Sequence, residues 1–282
     1  MEFATLSNGQ RMPLLGYGVF RIDDARVQAC VEDALSVGYR LIDVAQAYGN
    51  ERGVGAAIAA SGIPRSDLLL MDKVWIANYG PGRTYDSIKR SLELLGADYL
   101  DMALLHFLFG DYYSAWRDME RALADGLVRG IGTANFDAVR LADLRAFNSV
   151  APVANQVETH VFCQQENAGA AMRALGVRHM GWAPLAEGAN GLFDNPLLVQ
   201  IGKAHGKTAA QVALRFLVDR GIPVAVGSTN RPHLELDLDV LDFRLTEEEH
   251  ARIAALDGAF SLVEAYNDPA FATPWLSRIA GR

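Results

Sequence analysis

Short apolar runs recur along the chain and alternate with segments of helical periodicity. Eight runs of this kind occur in PLLGYGVF, YRLIDV, DLLLMDKVW, DYLDMALLHF, VRGIGTA, PVANQVE, HMGWAPL and GIPVAVGS. Unbroken apolar character over about four to eight residues is typical of strands that are buried on both faces of a parallel sheet. The pattern therefore predicts eight buried strands that alternate with helices.

The segments between the runs have apolar positions at helical spacing. One face of DDARVQACVEDALSVG carries Val27, Cys30, Val31, Ala34 and Leu35, and one face of RTYDSIKRSLELLG carries Tyr85, Ile88, Leu92 and Leu95. The segment TAAQVALRFLVDRG begins at Thr208, a predicted N-cap, and ends at Gly221. Glycine also ends three other helical segments just before a strand, at Gly38, Gly96 and Gly126.

Eight strands that alternate with helices favour an α/β fold, a single (β/α)8 TIM barrel over residues 1–282. A doubly wound open sheet is the alternative, but the glycines of LGYGVFRID do not continue into its G-x-G-x-x-G pattern. Before the barrel, EFATLSNGQRMP predicts a β-hairpin that turns at Asn8 and Gly9. After it, SLVEAYNDPAFATPWLSRIAGR is expected to fold as a loop over the barrel mouth.

Composition and charge narrow the class of protein. Hydrophobic residues make up 50% of the 282 residues, and the formal net charge at pH 7 is -8. These values predict a folded globular protein and provide no global attraction to nucleic acid or anionic membranes. The two cysteines, Cys30 and Cys163, predict neither a metal site nor a disulfide framework. Because no signal-peptide pattern and no run of about 18 apolar residues occurs, a cytoplasmic protein is expected.

Four polar side chains stand at or near the ends of three consecutive apolar runs. Asp43 ends the second run, Tyr48 follows on the next loop, Lys73 lies near the end of the third run, and His106 ends the fourth. Each has an ordinary role when considered alone, as a helix cap, a packing group, a solvated lysine or a rim histidine. Because reactive groups of (β/α)8 barrels lie at the carboxyl ends of the strands, the four together predict one catalytic site.

This set of groups is suited to protonating a carbonyl oxygen. A phenol has a pKa of about 10, and a nearby ammonium is expected to lower the pKa of Tyr48. Asp43 would keep the Lys73 ammonium charged and oriented, while His106 would orient the carbonyl oxygen or share the proton. The hydride that completes a carbonyl reduction must come from a cofactor, because no side chain donates one.

Long ordered motifs resemble those of the aldo-keto reductase family over nearly the whole chain. YRLIDVAQAYGNE resembles the family signature G-[FY]-R-x-[IL]-D-T-A-x-x-Y-x-N-E, and GLVRGIGTANF resembles G-x-[IV]-R-x-I-G-V-S-N-F. NQVETH, GWAPLAEG and LTEEEHARIAALD follow in the order of the family. HFLFGDYYSAWRDMERALADGLVRGIG and CQQENAGAAMRALGV are similar to the bacterial branch named after 2,5-diketo-D-gluconate reductases.

The resemblance implies a monomeric, NAD(P)H-dependent reductase of aldehydes and ketones in which Tyr48 is the proton donor. It implies that Asn135 and Gln156 hydrogen-bond the nicotinamide carboxamide. It also implies that Trp182 stacks on the nicotinamide ring, from which the pro-R hydrogen is transferred. The implied cofactor-binding set is completed by Gly18, Val19, Pro184, Leu185, Gly188, Gly227, Ser228, Thr229, Asn230, Arg231, His233 and Asp237. No metal site is expected.

The eighth run departs from the family pattern at the cofactor phosphate. The family usually has I-P-K-S here, with an arginine five residues after the serine, and the lysine and arginine bind the 2′-phosphate of NADP. In this chain Gly227 and His233 occupy the two positions, and Arg231 is a nearby cation. NADPH remains the expected cofactor, and NADH is the alternative because loss of a point charge weakens discrimination. Ala134 also replaces a serine that usually contacts the carboxamide.

The resemblance places aromatic residues around the substrate mouth. The predicted substrate pocket consists of Phe20, Trp75, Phe107, Phe109 and Tyr112, with Trp275 as a further candidate. Phe107 and Leu108 replace a usual Trp-Pro pair, and Phe20 stands where tryptophan is common. An apolar rim suits aromatic and aliphatic carbonyls at least as well as a keto-sugar acid.

Two other functions remain open on the sequence alone. A nicotinamide-binding redox sensor or regulatory protein would use the same fold, although the intact tetrad disfavours it. A barrel isomerase or lyase would use the position near Ser228 for a substrate phosphate and would need no nicotinamide.

Overall fold

The computed structural model describes residues 1–258, 260–263 and 269–279. Its centre is a closed barrel of eight parallel strands. They are β3 (Leu15–Gly18), β4 (Leu41–Asp43), β5 (Leu69–Val74), β6 (Met102–Leu105), β7 (Ile131–Ala134), β8 (Ala154–Glu158), β9 (Arg178–Trp182) and β10 (Val224–Val226). The barrel closes because β10 pairs with both β9 and β3. The predicted (β/α)8 barrel is therefore confirmed, and the open doubly wound sheet is wrong.

Helices surround the barrel. They are α1 (Asp24–Val37), α2 (Glu51–Ala60), α3 (Arg83–Leu95), α4 (Tyr112–Ala124), α5 (Ala138–Phe147), α6 (Glu166–Ala174), α7 (Pro196–His205), α8 (Ala209–Asp219), α9 (Arg231–Leu238), α10 (Glu247–Ala254) and α11 (Pro269–Ile279). The predicted apolar face of α1 is buried at all of its positions, whereas Tyr85 on α3 is only half-buried. Thr208 caps α8 in a reciprocal capping box with Gln211.

The N-terminal hairpin consists of β1 (Phe3–Thr5) and β2 (Arg11–Pro13), and it turns at Gly9 with φ 84°. Its tip is held by the side chain of Gln10, which donates to the Asp101 carbonyl at 3.1 Å, and by Asn8, which donates to the Arg129 carbonyl at 3.2 Å. Both acceptors precede strands, so the predicted hairpin covers the N-terminal end of the barrel.

Apolar side chains fill the inside of the barrel below its mouth. A buried cluster separate from the strand–helix core consists of Leu6, Met12, Leu41, Leu69, Met71, Met102, Leu104, Val153, Ala154 and Met180. Unbranched methionine side chains suit such irregular space. Polar groups at the carboxyl ends of the strands therefore lie on a dry apolar floor, where electrostatic interactions are stronger than in water.

The C-terminal segment differs from the predicted loop because it includes α11. Residues 260–263 approach the carboxyl end of β8, where Glu158 accepts hydrogen bonds from the Leu262 backbone N–H at 2.6 Å and from the Ser261 hydroxyl at 2.8 Å. The side chain of Trp275, a predicted substrate contact, lies outside the described residues. Within the described ranges, no helix is long and apolar enough to cross a membrane.

Candidate active site

The four residues of the predicted tetrad meet at the mouth of the barrel. Asp43 is the last residue of β4, Lys73 is the penultimate residue of β5, and His106 directly follows β6. Tyr48 ends a short 3-10 turn, Gln46–Tyr48, that follows β4. Because neighbouring parallel strands end on the same side of the barrel, residues that lie far apart in sequence become neighbours in space.

Asp43 and Lys73 form a buried ion pair beneath Tyr48. Lys73 is 3% exposed and Asp43 is 4% exposed, and the ammonium bonds directly to one carboxylate oxygen. The ammonium also donates to the Val44 carbonyl at 3.2 Å, and the second Asp43 oxygen accepts from Gln156 Nε2 at 2.8 Å. Burial alone would lower the pKa of Lys73, but the Asp43 and Tyr48 charges raise it above its usual value. The Lys73 ammonium therefore keeps its charge.

Tyr48 lies over this ion pair. The Lys73 ammonium is 5.3 Å from the centroid of the Tyr48 ring, and the His106 ring meets Tyr48 edge-on at a centroid distance of 6.1 Å. Burial raises the pKa of Tyr48 above its usual value, while the Lys73 charge opposes that rise. The lowering by the ammonium that the sequence predicts is present, but burial outweighs it, so the pKa of Tyr48 lies above its usual value. At neutral pH the phenol keeps its proton.

His106 is a neutral imidazole in this site. Burial lowers its pKa well below the usual range, and the positive charge of Lys73 lowers it further. Nδ1 is buried and has no hydrogen-bond partner among the described residues. The ring stacks on Phe107 at 4.8 Å and meets Trp75 edge-on at 5.6 Å. The imidazole is thus held in place by the neighbouring rings and by β6, and Nδ1 has no bonding partner in the part of the chain that the structure describes.

Asn135, Gln156 and Trp182 form a connected group beside the tetrad. Asn135 has a left-handed backbone, with φ 64°, and its side chain donates to the His106 carbonyl at 3.0 Å and accepts from Trp182 Nε1 at 2.9 Å. Gln156 donates to Asp43, and its Oε1 is buried without a partner in the described part of the chain. A buried unpaired acceptor is costly, so this oxygen marks a place for an external N–H group.

The predicted aromatic rim is only partly assembled around Tyr48 and His106. Phe20 is 50% exposed and its ring lies 5.1 Å from that of Tyr48, while Trp75 and Phe107 contact each other and His106. Phe109 is half-buried. Tyr112 begins α4 and packs on Tyr113 at 5.0 Å and on Phe136 at 5.3 Å.

The loop after β9 contains the predicted residues Pro184, Leu185 and Gly188 and has a strained backbone. Positive φ angles occur at Ala183 (49°), Ala186 (50°), Glu187 (51°) and Gly188 (76°). Non-glycine residues adopt this conformation at a cost, which often marks a functional segment. Glu187 pairs with Arg21 at 2.6 Å, and this contact joins the loop to the segment that follows Gly18 and Val19.

The carboxyl end of β10 lies close to that of β3. A Cβ on Gly227 would lie 3.0 Å from the Gly18 carbonyl oxygen, so the two backbones approach too closely for a larger residue to fit without movement. The Ser228 carbonyl accepts from the Tyr17 hydroxyl at 2.8 Å, and the Ser228 hydroxyl accepts from the Asn230 backbone N–H at 3.1 Å. Thr229, Asn230 and His233 are exposed.

Arg231 and Asp237 lie on α9, and neither presents a free charge to the mouth. Arg231 bonds to Asp33 at 3.0 Å and to Ser36 at 2.6 Å on α1, and to Glu235 at 3.1 Å on its own helix. Asp237 is 6% exposed, and burial raises its pKa to about 7.

Three residues that organise the mouth were not predicted. Gln46 accepts from the Trp75 backbone N–H at 2.9 Å and thereby fixes the turn that carries Tyr48 to β5. Asn50 donates to the carbonyls of Val19 at 3.0 Å and Ile22 at 2.9 Å. Glu158 binds residues 261–263. Asn50 lies in YGNE and Glu158 lies in NQVE. Their closeness in sequence to the predicted site residues Tyr48 and Gln156 could have identified them as part of the mouth.

Among the described residues, no group of three or more His, Cys, Asp or Glu side chains is arranged to hold a metal ion. What the mouth offers is a buried ion pair, a protonated phenol, a neutral imidazole and an unpaired amide oxygen.

Comparisons with known proteins identify the family. The model of the Aldo/keto reductase family matches residues 14–258. The chain is 38% identical over 256 residues to an aldo-keto reductase of Mycobacterium sp., covering 90% of each protein. It is 37% identical over 255 residues to a methylglyoxal reductase of Salmonella typhimurium, covering 89% of this chain and 92% of that one.

Solved structures lead to the same family. An aldo-keto reductase from a deep-sea metagenome library superimposes with a TM-score of 0.90 at 33% identity, covering 95% of this chain and 99% of that one. A Bombyx mori aldo-keto reductase in complex with NADP gives 0.88 at 30% identity, covering 93% and 95%. The chain belongs to the aldo/keto reductase family and is a nicotinamide-dependent carbonyl reductase.

Proposed function

We propose that the chain reduces aldehydes and ketones to alcohols with Tyr48 as the proton donor and NADPH as the favoured cofactor. The observation that carries this assignment is the buried Lys73–Asp43 pair beneath a phenol that faces the barrel mouth. A charged, dry ion pair at this place stabilises the negative charge that develops on the phenol oxygen as its proton leaves.

Each side chain of the tetrad has a different role in proton transfer. Tyr48 holds the proton at its hydroxyl until a carbonyl oxygen arrives, because burial keeps its pKa high. Lys73 stabilises the phenolate that is left, and Asp43 keeps Lys73 oriented. Neutral His106 hydrogen-bonds the carbonyl oxygen and holds it beside the phenol. When bound, the nicotinamide cofactor supplies the hydride to the carbonyl carbon.

The residues present fit a nicotinamide cofactor. The unpaired Gln156 Oε1 would accept from the carboxamide N–H, and Asn135 would complete that contact. Trp182 is fixed by its bond to Asn135 and would stack on the ring. Gly18, Val19, the loop with Pro184, Leu185 and Gly188, and the segment from Gly227 to Asn230 would line the rest of the cofactor.

The proposed cofactor preference is for NADPH, with NADH also used. The Bombyx mori relative binds NADP, which supports the first choice. Gly227 provides no charge, and Arg231 is already bonded to Asp33 and Glu235. His233 is exposed nearby. A 2′-phosphate would therefore gain less binding free energy here than beside an unpaired lysine and arginine, so discrimination against NADH should be weak.

For the substrate, we propose small aromatic or aliphatic carbonyls, with a keto-sugar acid as the alternative that the 2,5-diketo-D-gluconate reductase-like branch implies. The exposed Phe20 ring and the Trp75–Phe107 pair make an apolar entrance to the tetrad. Relatives that are named as a methylglyoxal reductase and a morphine 6-dehydrogenase support a broad range of carbonyl compounds. The monomeric state, the cytoplasmic location and the single domain over residues 1–282 stay predictions.

The decisive experiment compares Tyr48→Phe with Tyr85→Phe, which removes a surface hydroxyl bonded to Asp125 at 2.7 Å. Oxidation of NADPH and NADH is followed with an aromatic aldehyde, methylglyoxal and a keto-sugar acid. We expect Tyr48→Phe to bind cofactor but lose reduction with every substrate, and Tyr85→Phe to keep it. Full turnover by Tyr48→Phe would refute the assignment. Cofactor binding without turnover by the unchanged protein would favour the redox sensor.

A further inference from the structure

A second concave site lies away from the tetrad, between α6, α8 and the start of β9. It has a volume of about 320 Å³, and the N-terminal hairpin forms one wall at Thr5, Leu6 and Ser7. Gly176 and Gly221 lie at its border, both with positive φ, and a Cβ on Gly221 would meet no atom within 4 Å. The entrance is therefore open at that glycine.

Cationic side chains dominate this cavity. Arg173, Arg178 and Arg220 all line it, and Glu166 is its one carboxylate among the described lining residues. The excess of positive charge stands out in a chain whose net charge is -8. Arg178 is held in place by a bond to the Thr5 carbonyl at 2.9 Å. A small cavity that collects three guanidinium groups attracts anions of matching size.

Arg220 is the side chain that remains incompletely satisfied. Its Nη2 pairs with Glu166, but its Nη1 is buried and has no hydrogen-bond partner within the described ranges. Burial lowers the pKa of Arg220, the charges of Glu166 and Asp257 oppose this, and the neighbouring charge of Arg173 lowers it further. A buried guanidinium N–H without an acceptor costs free energy, which an external oxygen would recover once the Arg220 side chain turns Nη1 toward the cavity.

His179 adds a neutral wall to the cavity. Its Nε2 bonds to the Thr159 hydroxyl at 2.9 Å. Burial and then the charges of Arg220 and Arg173 lower the pKa of His179 to about 4. The ring is therefore uncharged at neutral pH, and the positive charges of the two arginines contribute to its lowered pKa.

We propose that this cavity binds the phosphoryl or carboxylate oxyanion of a small metabolite, with Arg173, Arg178 and Arg220 as the cations that receive it. The concave shape and the volume of about 320 Å³ fit a small molecule. The planar fork of a guanidinium matches the paired oxygens of either oxyanion. The site is separate from the tetrad, and its assignment stands without the proposed role of Tyr48.

Isothermal titration with inorganic phosphate and with citrate tests the proposal, with NADP+ present to occupy the cofactor's own phosphate positions. Both titrations are run at constant ionic strength on the whole chain. We expect saturable binding of at least one anion, and the preferred anion distinguishes a phosphoryl ligand from a carboxylate one. Arg220→Met and Arg173→Met should each weaken binding roughly tenfold, the factor for one lost charge-assisted contact.

The matched control is Arg90→Met, because Arg90 is also paired with a carboxylate, that of Glu93, but lies on the exposed face of α3. It should bind as the unchanged protein does. Arg173 is exposed, so its variant keeps the test valid if Arg220→Met folds poorly. The proposal is overturned if neither anion binds saturably, if Arg173→Met binds as tightly as the unchanged chain, or if Arg90→Met weakens binding equally.

Discussion

Replacement of Lys73 by Met removes a positive charge that opposes the effect of burial on the pKa of Tyr48. The methionine is unbranched and similar in length, so it fills the same space under the ring. Asp43 then remains buried, and among the described residues Gln156 is its remaining side-chain partner, at 2.8 Å. Breaking a buried pair in this way destabilises the fold by about 3–5 kcal/mol, because a carboxylate is left without its counter-charge.

The effect on catalysis follows from the distance between the two groups. The Lys73 ammonium lies 5.3 Å from the centroid of the Tyr48 ring. At an effective dielectric constant of about 20, a full charge at that distance contributes roughly 3 kcal/mol. If the transition state carries most of the phenolate charge, kcat for carbonyl reduction should fall roughly a hundredfold. The fall should be in kcat rather than in cofactor binding.

The pH profile provides the sharper assay. Alcohol oxidation needs Tyr48 as a base, so its rate rises as the phenol loses its proton. Because burial raises the pKa of Tyr48 and Lys73 partly opposes that rise, the variant's rising limb should move to higher pH. The double variant Asp43→Asn/Lys73→Met removes both charges and should fold better. Lys207→Met, which loses surface pairs with Asp239 and Asp242, serves as the control.

Two results would refute this reasoning. A Lys73→Met enzyme whose oxidation profile overlays that of the unchanged protein would show that the ammonium does not act on Tyr48. A parallel loss of activity in Lys207→Met would show that the effect arises from net charge and not from the tetrad.

Three further substitutions test the contact of residues 261–263 with Glu158 and the backbone packing at Gly227. Glu158→Gln should speed hydrogen exchange at the Leu262 and Val263 amides, because the carboxylate that accepts both hydrogen bonds is replaced by a neutral amide. Each hydrogen bond to the charged carboxylate contributes about 1.5–3 kcal/mol. Although burial opposes it, hydrogen bonding lowers the pKa of Glu158. In the unchanged protein, protection should therefore persist above the carboxyl's ordinary pKa of 4.5 and be lost as the pH falls through the lower folded-state value. Unchanged exchange in Glu158→Gln would contradict this role. Gly227→Lys should lower stability by roughly 1–3 kcal/mol, because its Cβ meets the Gly18 carbonyl oxygen at 3.0 Å. Gly227→Ala separates this crowding from the effect of charge in thermal unfolding, and a Gly227→Ala protein of unchanged stability would count against it.

The barrel could be predicted from the sequence because its signals are local. The barrel strands lie in short, mainly apolar runs, and Thr208 and Gly9 stand where a cap and a turn need those residue types. The meeting of Asp43, Tyr48, Lys73 and His106 could also be predicted, because parallel strands bring their carboxyl ends together.

The electrostatics of the mouth could not be predicted in the same way. Whether Lys73 lowers the net pKa of Tyr48 depends on how much water the surrounding chains exclude, and Phe20 and His106 contribute to that only after folding. Glu158 was not recognised because its partners, Ser261 and Leu262, lie more than a hundred residues away. Such contacts have no local pattern.

The role of Arg231 at the cofactor phosphate also could not be predicted from the sequence. Arg231 stands near Gly227 in sequence and could be read as a replacement cation, yet in the structure α1 already supplies Asp33 and Ser36 as its partners. These surface contacts are weak, about 1 kcal/mol or less for an exposed ion pair. A doubly charged phosphate could therefore draw Arg231 away from Asp33. The binding free energy gained would be only the difference between the Arg231–phosphate and Arg231–Asp33 interactions. Preference for NADPH would then depend on Asp33, a residue of α1 outside the predicted cofactor-binding set, and Asp33→Asn should strengthen it.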